Sequence, residues 1–296
     1  TGEAFPFATE DYVDVVTADR VLQALDERPE GQPFACFASF CSPHPPFDPP
    51  AEWLAAIPYE EVDDFLPGPD GPLSRETKAR LWRLRRAYRA MIAGVDQQIG
   101  RILDHLAATG ELDETIIVFT ADHGEMLGDH GLVQKQSPYD ASVRVPLVIR
   151  HPDFLHGRRC STPVEVTDCT ATILAGAGLD PTAALGRSWP AFNDIVPARS
   201  LLPIISGASE QVRQWAFSEC SNRWRMGSDG RWKFVQHVGE GEQLFDLQAD
   251  PGEQDDRAAA EPERCRSWRQ RLVDCLDATP PAQLRWAPID GDPPAE

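Results

Sequence analysis

Asp122 and His123 stand directly after the apolar run Ile116-Ile117-Val118-Phe119, and Lys135 follows twelve positions beyond His123. An apolar, β-branched run that breaks abruptly into Asp, His and Gly reads as a buried strand ending in a loop. In open α/β sheets the carboxyl ends of strands carry ligands. One carboxylate oxygen and one imidazole nitrogen at such an end suit a hard or borderline divalent cation. Gly124, Gly128 and Gly131 give the connecting loop freedom to turn tightly. The triplet alone also fits a plain structural turn, so the surrounding elements decide its meaning.

The strongest of those elements is a helix. Leu81, Leu84, Tyr88, Met91, Val95, Ile99, Ile102 and Leu106 keep steps of three and four, with Ser74 as N-cap and Gly110 as the stop. Arg80, Arg83, Arg85, Arg86 and Arg89 lie largely off that stripe and read as a solvated face. Ahead of this helix, residues 13–28 predict a helix and residues 33–40 a strand, followed by an irregular proline-rich stretch from Pro43 to Pro72. After the Asp122 loop come a strand at 145–149 and a helix that Thr167 or Asp168 would cap. Short strands are expected at 215–218, 223–226, 232–236 and 243–247, with a hairpin turn at Ser228-Asp229-Gly230. A terminal helix at 261–276 and a loosely held proline-rich tail at 280–296 complete the chain.

Composition narrows the function. The 296 residues are 42% hydrophobic, enough for a substantial core, and carry a formal charge of −19. Nucleic acid is excluded as a partner, because phosphate neutralisation needs clustered Lys and Arg. An anion site must then be built locally, where screening is weak. No apolar run reaches the eighteen residues of a membrane span. Seven cysteines form no Cys-x-x-Cys pair, and the odd number favours a reducing, cytoplasmic compartment over the periplasm.

The run from Thr120 to Arg150 (TADHGEMLGDHGLVQKQSPYDASVRVPLVIR) resembles the sulfatase family of the alkaline-phosphatase-like superfamily, which also holds phosphonate monoester hydrolases and phosphodiesterases. Phe37 to Phe47, with Pro43-His44-Pro45-Pro46-Phe47, is similar to the family's segment whose histidine faces the sulfate ester. Val166 to Gly178 and the turn Leu244 to Glu253 (LFDLQADPGE) match in the same order. The resemblance implies an α/β alkaline-phosphatase-like sandwich with a mostly parallel central sheet, plus a small C-terminal α+β subdomain with an antiparallel sheet. It divides the chain into an incomplete catalytic domain at 1–195 and a subdomain at 196–296. Asp122 and His123 would ligate the metal, Ca2+ or Mn2+. Lys135 would place its ammonium on a sulfate oxygen, and His44 would touch the ester and protonate the leaving group. His130 would support a ligand or stabilise its loop rather than bind the metal on this reading.

The family's Cys-x-Pro-x-Arg or Ser-x-Pro-x-Arg signature, which supplies a formylglycine nucleophile, does not occur. Cys41-Ser42-Pro43-His44-Pro45 comes nearest but has Pro45 at the arginine position. The expectation is a sulfuric ester hydrolase whose nucleophile and remaining metal ligands lie upstream. Its partners would be a small-molecule or carbohydrate sulfate ester, and it would form a homo-oligomer or associate with the missing N-terminal segment. Two alternatives stay open: a phosphonate monoester or phosphodiester hydrolase of the same superfamily, and a catalytically inactive truncated sulfatase-like protein.

Overall fold

The computed structural model of the chain describes residues 2–29, 31–62, 64–155, 157–188, 198–220 and 223–277. They fall into two compact units, one of Thr1–Thr115 with Glu125–Gln134, the other of Ile116–Gly124 with Lys135–Glu296. The domain boundary expected at 195/196 lies outside the described residues, as does the tail at 280–296.

Three helices build the first unit: α1 (Val13–Glu27), α2 (Ala51–Ala56) and α3 (Arg75–Ala108). Ser74 caps α3 by accepting the Thr77 N–H at 3.1 Å, and Gly110 takes a left-handed φ of 76° just past its end. The apolar stripe of α3 is its buried face. Leu106 packs with Val21 and Leu25 of α1, and Met91 and Ala87 pack with Phe47. Tyr12, Trp53 and Ala90 form a third cluster, in which Trp53 lies so close to Gly94 that a Cβ there would meet its ring at 2.1 Å.

The arginines of α3 are less solvated than the sequence suggests. Arg85 donates to Asp129 Oδ1 at 2.9 Å and Leu127 O at 3.0 Å, and its guanidinium stacks 3.9 Å from the Phe65 ring centre. Arg86 donates to Ile57 O and Leu54 O. Planar forked donors can satisfy several loop acceptors at once, so these two side chains tie loops to the helix. The expected strand at 33–40 is also not formed: the run pairs with no strand among the described residues and leaves Phe37 92% exposed.

The second unit contains β1 (Ile117–Thr120), α4 (Asp140–Val143), β2 (Leu147–Arg150), α5 (Thr167–Gly176), α6 (Pro181–Ser188), α7 (Leu202–Ile205), β3 (Ala216–Cys220), β4 (Trp224–Ser228), β5 (Trp232–His237), β6 (Gly241–Asp246) and α8 (Pro262–Asp277). β1 pairs with β2 in antiparallel register, Phe119 opposite Val148. The described residues supply no parallel pair, so the expected mostly parallel central sheet is not among the strands they form. Neither Thr167 nor Asp168 is the N-cap of α5. Val166 holds that position, and Asp168 instead reaches back from the first turn to accept the Glu165 N–H at 2.8 Å.

β3 to β6 form the expected antiparallel meander. The alternation of β5 decides its two faces. Trp232 and Phe234 join Leu244, Trp268 and Leu272 on the α8 side, while Val235 joins Trp224, Met226 and Phe245 on a side also covered by Tyr139 and Val143. Lys233, 1% exposed, is buried on that second side.

Gly94→Ala should lower stability by about 1–3 kcal/mol despite alanine's better helix propensity, because the buried Trp53 ring must shift; urea unfolding checks it. Burial drives the Tyr12 phenol up to about 12, against a helping hydrogen bond with Ser42. Its stabilising contribution is therefore complete below the unfolded value near 10 and lost as the pH climbs toward about 12. An absorbance titration of wild type against Tyr12→Phe should show one phenol ionising in that upper range.

Candidate metal and anion site

β1 ends at Thr120, and the next turn is organised by hydrogen bonds of its own residues. Asp122 Oδ1 accepts the His123 N–H at 2.9 Å, and Asp122 Oδ2 lies 3.4 Å from His123 Nε2. His123 Nδ1 is 2.9 Å from Gly124 O. A carbonyl can only accept, so Nδ1 is the donor in that bond, which leaves Nε2 as the ring nitrogen beside the Asp122 carboxylate. Gly124 donates its N–H to Ser142 O at 2.7 Å, and a Cβ on it would meet Ala141 O at 2.1 Å. Only glycine allows that approach.

These two donors fit a shared divalent cation. A carboxylate oxygen and an imidazole nitrogen converge, and the other ring nitrogen is fixed by a backbone carbonyl, the usual arrangement behind a metal-ligating histidine. Two donors alone do not make a complete ligand set. Among the described residues no group of three or more His, Cys, Asp or Glu side chains converges to hold an ion.

Lys135 belongs to the same unit and is half-buried. Asp122, His123, Lys135, Ser142 and Arg144 line one broad open cleft. The segment that carries Lys135 is anchored at successive points. Ser142 Oγ donates to Lys135 O, Trp224 Nε1 donates to Gln136 O at 3.1 Å, and Lys233 Nζ donates to Pro138 O at 3.1 Å. Lys233 also pairs with Asp140 and with Glu253 Oε1, the latter at 2.7 Å. Glu253 Oε2 accepts the Asp140 N–H at 2.6 Å. Burial holds the Glu253 carboxyl above the usual carboxylate range, although the Lys233 ammonium pulls the other way.

Sequence reasoning missed Lys233, Asp140 and Ser142 as supports. The available signal was a lysine inside the otherwise apolar run Trp232-Lys233-Phe234-Val235, which a strand buried on both faces tolerates only with a counter-charge.

His44 lies in the other unit. It is exposed, its N–H donates to Cys41 O at 3.0 Å, and its Nδ1 donates to Pro45 O at 2.7 Å. Asp14, fully buried in α1, accepts the N–H groups of Cys41 and Ser42 at 2.8 and 3.2 Å and so fixes the turn before His44. His130 is buried with φ 55° and donates its N–H to Leu66 O at 2.9 Å, which agrees with a loop-stabilising role.

The fold and the site can be set beside known proteins. The crystal structure of the phosphonate monoester hydrolase of Agrobacterium radiobacter matches with a TM-score of 0.80 and 26% identity, over 95% of this chain and 63% of that one. The architecture is therefore the α/β fold of the alkaline-phosphatase-like superfamily. The profile named Sulfatase matches residues 3–179, and the chain belongs to the sulfatase family. A choline-sulfatase of Rhizobium meliloti is 33% identical over 242 residues, covering 74% of this chain and 45% of its own length. An arylsulfatase of Clostridium perfringens is 31% identical over 255 residues, covering 78% and 50%. The chain thus spans about half the length of the curated relatives it matches.

Glu253→Ala should destabilise the protein by about 3–5 kcal/mol, because it leaves the buried Lys233 ammonium with too little compensating charge. Chemical denaturation followed by tryptophan fluorescence checks this, since Trp232 adjoins Lys233 in β5 and Trp224 donates to Gln136 O in the segment that Lys233 anchors.

Proposed function

We propose that the chain forms part of a metal-dependent sulfuric ester hydrolase. The observation that carries the reading is the 3.4 Å convergence of Asp122 Oδ2 and His123 Nε2, in the cleft that Lys135 also lines. Asp122 and His123 hold the divalent cation, Ca2+ or Mn2+, of which carboxylate and imidazole suit the second slightly better. The bound cation would supply Lewis-acid polarisation of the ester's S–O bonds. Lys135 neutralises a non-bridging sulfate oxygen as a compact point charge, worth more inside a cleft than in bulk water. His44 belongs to the other unit, and its role as the acid for the leaving oxygen rests on the family resemblance alone. The substrate is a small-molecule or carbohydrate sulfate ester. None of the 296 residues is assigned as nucleophile, because Cys41 lacks the arginine of the Cys-x-Pro-x-Arg pattern.

A phosphonate monoester or phosphodiester substrate is the second reading, supported by the 0.80 TM-score and 26% identity to the Agrobacterium hydrolase. Tetrahedral sulfur and phosphorus esters ask for the same cation and lysine, so the site's chemistry serves both.

The native protein should cleave an aryl sulfate with a higher kcat/KM than an aryl phosphonate, and the reverse order would favour the second reading. Lys135→Ala and His123→Ala should each reduce kcat/KM by about 10²–10³. Full activity in both variants, measured with saturating Mn2+, would sink the proposed site.

A further inference from the structure

We propose that Ser142 is the positioning residue that fixes Lys135 relative to the Asp122–His123 pair, an inference that rests on the functional reading above. Between Gly124 and Lys135 the chain leaves the second unit for ten residues, Glu125–Gln134. The covalent path alone leaves the distance between cation pair and lysine to a flexible closure. The excursion is closed at its ends by the Met126 N–H on Gln134 O and the Gln134 N–H on Glu125 Oε1, and Ser142 ties together the two residues just outside it. The Ser142 backbone carbonyl accepts the Gly124 N–H at 2.7 Å, and its Oγ donates to the Lys135 carbonyl. Gly124 O in turn accepts His123 Nδ1–H. The path from imidazole ring to lysine backbone therefore passes through two atoms of Ser142.

The geometry is not that of an ordinary helix serine. In a helix, Ser hydroxyls commonly bond back to the carbonyl three or four residues earlier. Here the acceptor is seven residues back and outside α4. Ser142 is itself 1% exposed, and its N–H is held by Tyr139 O at 2.8 Å. Its neighbour Ala141 abuts Gly124 so closely that no side chain fits between them. Both arms of the bridge start from a fixed point.

Ser142→Ala cuts only the arm to Lys135, since the backbone carbonyl to Gly124 survives. The 296 residues contain three lysines, Lys78, Lys135 and Lys233. After 13C reductive dimethylation, which preserves their charge, the Lys135 resonance is assigned by its loss in Lys135→Arg and titrated with inorganic sulfate. In parallel, Mn2+ is titrated while paramagnetic broadening of the His123 ring is followed. Ser142→Ala should weaken sulfate binding at Lys135 about three- to tenfold, the worth of one hydrogen bond. It should leave the Mn2+ response of His123 unchanged, and Ser142→Thr, which keeps the hydroxyl, should recover the sulfate affinity. Unchanged sulfate affinity in Ser142→Ala overturns the proposal, and so does a matching loss of sulfate and Mn2+ binding, which marks general loosening. A wild-type protein whose Lys135 ignores sulfate, or whose His123 ignores Mn2+, overturns the functional reading beneath it instead.

Discussion

The second unit depends on the ammonium of Lys233. Its side chain is 1% exposed and meets two carboxylates and a backbone carbonyl, with one of those carboxylates also closing on a main-chain N–H. Desolvating three charged groups is costly, and their mutual attraction recovers that cost only when the geometry satisfies nearly every donor and acceptor. Such an arrangement is poor at adding net stability and good at excluding alternatives, because any shift of the Pro138–Asp140 backbone strands a buried charge. The LFDLQADPGE turn supplies Glu253, whose φ of 54° is itself uncommon for a residue with a side chain. The C-terminal sheet is thus specified together with the loop that carries Lys135.

The first unit spends conformational energy in a loop of its own. Within Glu125–Gln134, Leu127, His130 and Gln134 all have positive φ, in company with Gly128 and Gly131. Each such non-glycine residue costs about 1–2 kcal/mol. The compensation is visible: Met126 N–H bonds to Gln134 O, Gly128 N–H to Leu132 O, and Arg85 takes Leu127 O and Asp129 together. Two Gly128–Gly131 positive-φ turns are what the glycines in the sequence allowed, and Arg85 is what makes the rest tolerable.

Much of this was legible in the residues. The seven-turn stripe from Leu81 to Leu106 located α3 to within a residue or two, because helical periodicity summed over many turns is hard to mistake. The four short strands and the Ser228–Gly230 turn were legible for the opposite reason, sharp punctuation by polar and turn residues. Pairing was not. The run 33–40 has strand composition, yet composition cannot say whether a neighbour is present, and the direction of β2 against β1 depends on chain reversal rather than on the residues of either strand. At the site, Asp122, His123 and Lys135 announced themselves by type. Their supports did not, since Lys233 and Asp140 are 93 residues apart and Glu253 and Asp140 are 113 apart. Nothing local in a sequence marks a partnership over that distance.

The unpaired run around Phe37 has a consequence for how the molecules meet one another in solution. From Gly31 to Phe47 the sequence holds no Asp, Glu, Lys or Arg, in a chain whose formal charge is −19. Phe34 and Phe37 are exposed within it. Backbone of this kind is a template for strand-to-strand sticking between copies. What opposes it is repulsion between like-charged surfaces, whose reach shrinks from about 30 Å at 0.01 M salt to about 8 Å at physiological ionic strength. The colloidal behaviour of the chain is therefore governed by a contest between a neutral stripe and an acidic remainder, and added electrolyte weakens only one side of it.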